Sequence, residues 1–253
     1  MTALITGASS GIGRDIARLL AEKGVRLIIS GRNTEKLEEL RQEIGERRVK
    51  VIAADISDRE ECRRLYREAS KYDVDILVNN AGFGLYGRFA NTDLETELEM
   101  IDVNIGAVHI LTKLFLADFV RKDKGYILNV ASSAGFMPGV LMSTYYSSKN
   151  YVVRLTEAIR EELRSSGSNV YIGAFCPGPV DTNFNDTAGV KFALDGISSE
   201  YAAKCAVEGM LKRKTLIIPT LAMKAAVYGS KLMPDMALAR IVRHFQSKKG
   251  EKN

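Results

Sequence analysis

Short apolar runs alternate with stretches of helical period along most of the chain, and this alternation confines it to a layered α/β fold. Ala3–Thr6 reads as a strand. Ile12, Ile16, Leu19 and Leu20 then recur at helical spacing until Gly24 stops the helix. Residues 25–29 form a second strand, Leu37, Leu40 and Ile44 mark a second helix, and Val49–Ala53 is a third strand. Ser57 and Glu60 are placed as a capping box for the next helix. Residues 75–78, 125–130, 170–175 and 216–218 continue the strands, with one helix expected over Asp93–Phe119 and another over Tyr145–Arg164. Right-handed β-α-β crossovers then give a parallel sheet of about seven strands with helices on both faces. No repeat or linker divides residues 1–253, which predicts a single domain. The aperiodic stretch 183–200 is a candidate substrate lid. Residues 248–253 form a candidate flexible tail.

Composition removes several function classes. The net charge of +5 suits an anionic cofactor or a solvated basic face equally. No Lys/Arg block interleaved with aromatics points to nucleic acid. Cys62, Cys176 and Cys205 are too scattered for a disulfide framework or a metal cluster. With only His109 and His244, a zinc site or a histidine triad is hard to build, so no metal is expected. The chain enters an apolar strand at once, with no charged leader or long apolar span, and a cytoplasmic location is expected.

Two local patterns carry chemistry. Gly7, Gly11 and Gly13 lie at the first strand–helix junction, where glycines allow a tight turn and let backbone approach a pyrophosphate at a helix N-terminus. Tyr145 and Lys149 lie four apart on a helix, with roughly 5–6 Å between Cβ atoms. A cation there favours the phenolate and is expected to lower the phenol's pKa, giving a proton donor and acceptor for neutral pH. Tyr146, three before Lys149, shares the same face, so local geometry leaves both tyrosines open.

Thr6–Gly13, Asn79-Asn80-Ala81-Gly82, Asn104, Ser132, Tyr145-x-x-x-Lys149 and Pro177-Gly178-Pro179-Val180 occur in this order. The joint pattern resembles the short-chain dehydrogenase/reductase family over roughly residues 1–182. The resemblance implies a doubly wound, Rossmann-type fold and an oxidoreductase. Its spacing selects Tyr145 as the general acid/base and Ser132, thirteen residues earlier, over Ser133. It implies that Lys149 tunes the phenol and holds the nicotinamide ribose, that Ser132 binds the substrate oxygen, and that Asn104 holds a water linking Lys149 to solvent. It places Gly7, Ser9, Ser10, Gly11, Ile12 and Gly13 against the cofactor, Asp55 and Ile56 at the adenine, and Asn79, Ala81 and Gly82 at the cofactor floor. Pro177, Gly178, Val180 and Thr182 fall in the segment that meets the nicotinamide. Gly31 stands at the family's usual acidic position and Arg32 follows it. A guanidinium there can grip a 2′-phosphate, which predicts NADP(H) over NAD(H). Ser10 stands where some NADP(H)-preferring relatives carry a basic residue, so Arg32 works largely alone.

The expected activity is NADPH-dependent reduction of a carbonyl, reversible as oxidation of a secondary alcohol. A non-catalytic dinucleotide sensor or scaffold is the alternative from another class. Phe83, Tyr86, Met137, Phe184 and Phe192 are candidates for an apolar substrate pocket. Leu221–Met233, with Lys224 and Lys231, reads as a terminal core helix or subunit contact, or as an interfacial face on a membrane. A homodimer or homotetramer through helices 93–119 and 145–164 resembles family practice.

Overall fold

Seven parallel strands form the sheet, in the order β3-β2-β1-β4-β5-β6-β9. They are β1 (Thr2–Thr6), β2 (Arg26–Ser30), β3 (Val49–Val51), β4 (Ile76–Asn79), β5 (Tyr126–Val130), β6 (Tyr171–Phe175) and β9 (Leu216–Ile217). A second, two-stranded sheet pairs β7 (Val180–Asp181) with β8 (Ile197–Ser198). The computed structural model describes residues 1–182 and 196–250. The helices are α1 (Gly11–Glu22), α2 (Thr34–Ile44), α3 (Arg59–Ala69), α4 (Leu94–Ile101), α5 (Val108–Lys122), α6 (Ser143–Ser165), α7 (Ser199–Leu211), α8 (Leu221–Ser230) and α9 (Asp235–Gly250).

The sheet is apolar on both faces because alternate residues of each strand point to opposite sides. Ala3, Ile5, Leu27, Ile29, Ile76 and Val78 pack against α1, α2 and α7. Leu4, Ile28, Leu77, Ile127 and Ile172 pack against α3, α5 and α6, where Phe115 and Phe119 are fully buried. Strand order reverses between β1 and β4, so the loops leaving their carboxyl ends diverge and open a crevice there.

Three local features depart from expectation. The cap of α3 is Asp58, whose carboxylate accepts from the Glu60 N–H at 2.7 Å, because the Ser57 hydroxyl is engaged with Asp55 Oδ1 at 2.8 Å. The single helix expected over residues 93–119 is interrupted by a π-helical turn, Asp102–Ala107, between α4 and α5. Such a turn inserts an extra residue and redirects the side chains within it. Finally, 197–200 of the expected lid are β8 and the start of α7, and 248–250 of the expected tail continue α9. Lid residues 183–195 and tail residues 251–253 lie outside the described residues.

A buried polar network holds the central strands together. Asn79 Nδ2 donates to Asn129 Oδ1 at 2.9 Å and to Thr112 Oγ1 at 3.0 Å, and Asn129 Nδ2 donates to Thr156 Oγ1 at 2.9 Å. Truncating Asn129 removes the acceptor for one Asn79 N–H and the donor to Thr156 Oγ1 at a buried position. Asn129→Ala is therefore expected to lower unfolding free energy by roughly 2–4 kcal/mol, measured by urea denaturation.

Candidate active site

A cavity of about 910 Å³ opens at the carboxyl ends of the strands. One wall is the turn from β1 into α1. Gly7 and Gly11 have φ of +65° and +53°, which favour glycine. A Cβ on Gly7 would lie 2.8 Å from Ala81 Cα, and one on Gly11 would lie 3.1 Å from Thr182 Cγ2. Ser9, Ser10, Gly11 and Ile12 line the cavity, and Ser10 makes no side-chain cap bond to α1. The first-turn N–H groups of α1 thus remain available to an anion. Asn80 holds the turn in place: its Nδ2 donates to the carbonyls of Thr6 and Gly7 at 3.0 and 3.1 Å. The Asn79-Asn80-Ala81-Gly82 motif alone predicts no role for Asn80. Its signal was the position directly after a strand that ends beside the glycine turn.

Most of the expected cofactor residues surround the same space. Arg32 follows β2, Asp55 and Ile56 follow β3, and Ala81 and Gly82 follow β4. Pro177, Gly178, Val180 and Thr182 come from the segment after β6. Two of them, and the catalytic candidate Asn104, do not reach it. Gly13 packs beneath the turn, where a Cβ would lie 2.3 Å from Asn80 Nδ2 and 2.5 Å from the Gly7 carbonyl. Asn79 belongs to the sheet network. Asn104, turned inward by the π-helical turn, donates to the carbonyl of Phe83 at 2.9 Å and to Ser148 Oγ at 3.0 Å, and accepts from the Phe83 N–H at 3.1 Å.

Ser132, Tyr145 and Lys149 all line the cavity. Ser132 lies at the end of β5, and the other two are one turn apart at the start of α6. Burial pushes the Tyr145 phenol up to about 12, and its hydrogen bond with Ser132 works in the opposite direction. The expected lowering by Lys149 is not found. Lys149 Nζ donates to the Val130 carbonyl at 3.0 Å and stands 5.9 Å from the Tyr145 ring centroid. Burial lowers Lys149 itself to about 8. Tyr146 also borders the cavity, but its hydroxyl accepts from Gln246 Nε2 at 2.6 Å.

The two C-terminal helices supply an apolar wall. Met223, Ala226, Leu238, Val242 and Phe245 line the cavity from α8 and α9, opposite Phe83 and Met137. Tyr86 lies outside it, donating to the Gln246 carbonyl at 3.1 Å, and Phe184 and Phe192 fall outside the described residues. Arg32 is 63% exposed and paired with Glu99 of α4 at 2.7 Å.

Residues 1–192 match the short chain dehydrogenase family. The chain belongs to that family. An uncharacterized oxidoreductase of Staphylococcus aureus is 33% identical over 187 residues, covering 73% of this chain and 80% of the relative. A short-chain dehydrogenase from Sphingobium yanoikuyae in complex with NADPH superimposes with a TM-score of 0.83 at 29% identity, covering 91% of this chain and 93% of that one. The bulky-bulky ketone specific alcohol dehydrogenase from Comamonas testosteroni gives a TM-score of 0.77 at 26% identity, covering 93% and 95%. This short-chain dehydrogenase is thus an oxidoreductase with a Rossmann-type fold and a cleft suited to a nucleotide cofactor.

The Lys149 shift has a measurable sign. Its folded pKa of about 8 lies below the ordinary 10.5, so between those values the unfolded chain binds more protons. Stability from this group is lowest below pH 8 and rises as pH climbs toward 10.5. Urea denaturation across this window is expected to show wild type gaining stability relative to Lys149→Met. A pH-independent difference contradicts the buried-ammonium assignment.

Proposed function

We propose that the chain is an NADPH-dependent carbonyl reductase that also runs in reverse as a secondary-alcohol dehydrogenase. The observation that carries this reading is the convergence of Ser132, Tyr145 and Lys149 on the cavity that holds the glycine turn. NADPH, when bound, supplies the hydride. Tyr145 donates its proton to the substrate oxygen, and its high pKa keeps that proton in place at neutral pH. Ser132 hydrogen-bonds the same oxygen as negative charge gathers on it. The Lys149 ammonium, charged below about pH 8, helps hold the cofactor's ribose. The apolar wall from α8 and α9 supports a bulky, largely apolar ketone, as does the likeness to an alcohol dehydrogenase specific for bulky-bulky ketones.

NADP(H) preference rests on Arg32, the cationic side chain lining the cavity after β2, and on likeness to the NADPH-bound Sphingobium protein. Glu99 competes for that guanidinium. The exposed stripe Leu94, Leu98 and Ile101 on α4, at i, i+4 and i+7, supports subunit contact through that helix.

Steady-state NADPH oxidation with a panel of bulky ketones tests the activity. Tyr145→Phe is expected to lower kcat by about 10²–10⁴-fold. Tyr146→Phe is expected to retain turnover, and the opposite pattern transfers the acid/base role to Tyr146. Arg32→Ala is expected to raise the KM for NADPH about tenfold or more while leaving that for NADH nearly unchanged. Glu99→Gln, which releases the guanidinium, is expected to lower the KM for NADPH. Unaltered discrimination in both variants removes the basis for NADP(H) preference.

A further inference from the structure

The outer face of α8 and α9 is unusually apolar. Leu221, Leu232 and Met236 are 81%, 88% and 71% exposed. Leu221, Ala225 and Tyr228 recur at i, i+4 and i+7, which sets them in one stripe. Met233, Ile241 and Phe245 are exposed yet also line the cavity, so the apolar face continues into its mouth. Basic residues border it: Lys231, Arg240 and Arg243 are exposed.

Charge is just as unevenly distributed. Residues 221–253 hold seven Lys/Arg and two Asp/Glu, a net +5, whereas residues 1–220 hold 29 of each. The whole net charge of the protein therefore resides in this C-terminal segment. We propose that the exposed face of α8 and α9 docks the protein on an anionic lipid bilayer, with the cavity mouth turned toward it. Aliphatic and aromatic side chains enter the interfacial layer while flanking Lys and Arg meet the negative headgroups. A second copy of the chain fits this face poorly, because a two-fold contact would oppose two segments of like charge. Neither helix spans a bilayer: α8 has 10 residues and α9 has 16.

Docking is independent of the redox chemistry and is tested without turnover. The full chain is sedimented with vesicles of phosphatidylcholine alone or mixed with phosphatidylglycerol, at low and high salt. Light scattering reports the oligomeric state in the same buffers. Wild type is expected to pellet with the mixed vesicles at low salt, with affinity about tenfold or more above that for phosphatidylcholine alone. High salt is expected to weaken the binding. The Leu221→Asp/Leu232→Asp and Arg240→Glu/Arg243→Glu variants are each expected to lose it while keeping wild-type thermal melting, since these side chains are exposed. The proposal is overturned if wild type binds neither vesicle or binds both equally. It is likewise overturned if both variants bind as wild type does. If wild type ignores vesicles but forms an oligomer that Leu221→Asp/Leu232→Asp dissolves, the face is a contact between copies.

Discussion

An ammonium group held inside protein must be enclosed by groups that tolerate it, and Lys149 imposes that condition here. Only 5% of the residue is exposed, and its Nζ is anchored to the Val130 carbonyl at the end of β5. The surroundings leave no room for bulk. A Cβ on Gly82 would lie 3.2 Å from Nζ and 2.8 Å from Asn104 Oδ1. One on Gly135 would lie 2.7 Å from the Lys149 carbonyl. The π-helical turn brings Asn104 against Phe83 and Ser148, one residue before the lysine, and fixes the loop after β4 against α6. Desolvation then acts on both catalytic candidates in opposite senses, raising the phenol and lowering the ammonium. The phenol at about 12 and the ammonium at about 8 therefore lie further apart than the ordinary 10.0 and 10.5 of the two groups. The charge each side chain carries thus depends on what approaches the pair as well as on the pair itself.

The sheet was legible because its determinants are local. Runs such as Ile76–Asn79 and Tyr171–Phe175 are buried on both faces and read as uninterrupted apolar strands. The glycine turn was equally legible, since φ near +60° at Gly7 and Gly11 strongly restricts residue choice. Caps and bulges were harder. Ser57 and Asp58 both carry capping side chains, and only the competing bond to Asp55 decides between them. The π-helical turn joins α4 to α5 without an intervening loop, so the segment reads as one helix in the sequence.

The partners of charged and polar groups were hidden for a different reason: they come from distant sequence. Arg32 meets Glu99 across 67 residues, and Tyr146 meets Gln246 across 100. The spacing of Tyr145 and Lys149 placed both on one helix, but the direction of the phenol's shift depended on burial that no spacing encodes. The helix α7, which packs Ala202, Ala206 and Met210 against the sheet, follows an aperiodic stretch that obscures its start.

The family match ends at residue 192, yet much of the cavity's apolar wall comes from residues 223–246. Ser132, Tyr145 and Lys149 and much of the cavity's apolar wall therefore come from separate stretches of the chain. Drift or recombination in the last two helices can redraw the chamber without touching Ser132, Tyr145 or Lys149. A lineage built this way can reshape the apolar side of its cavity, one C-terminal segment at a time, while those three side chains stay in place.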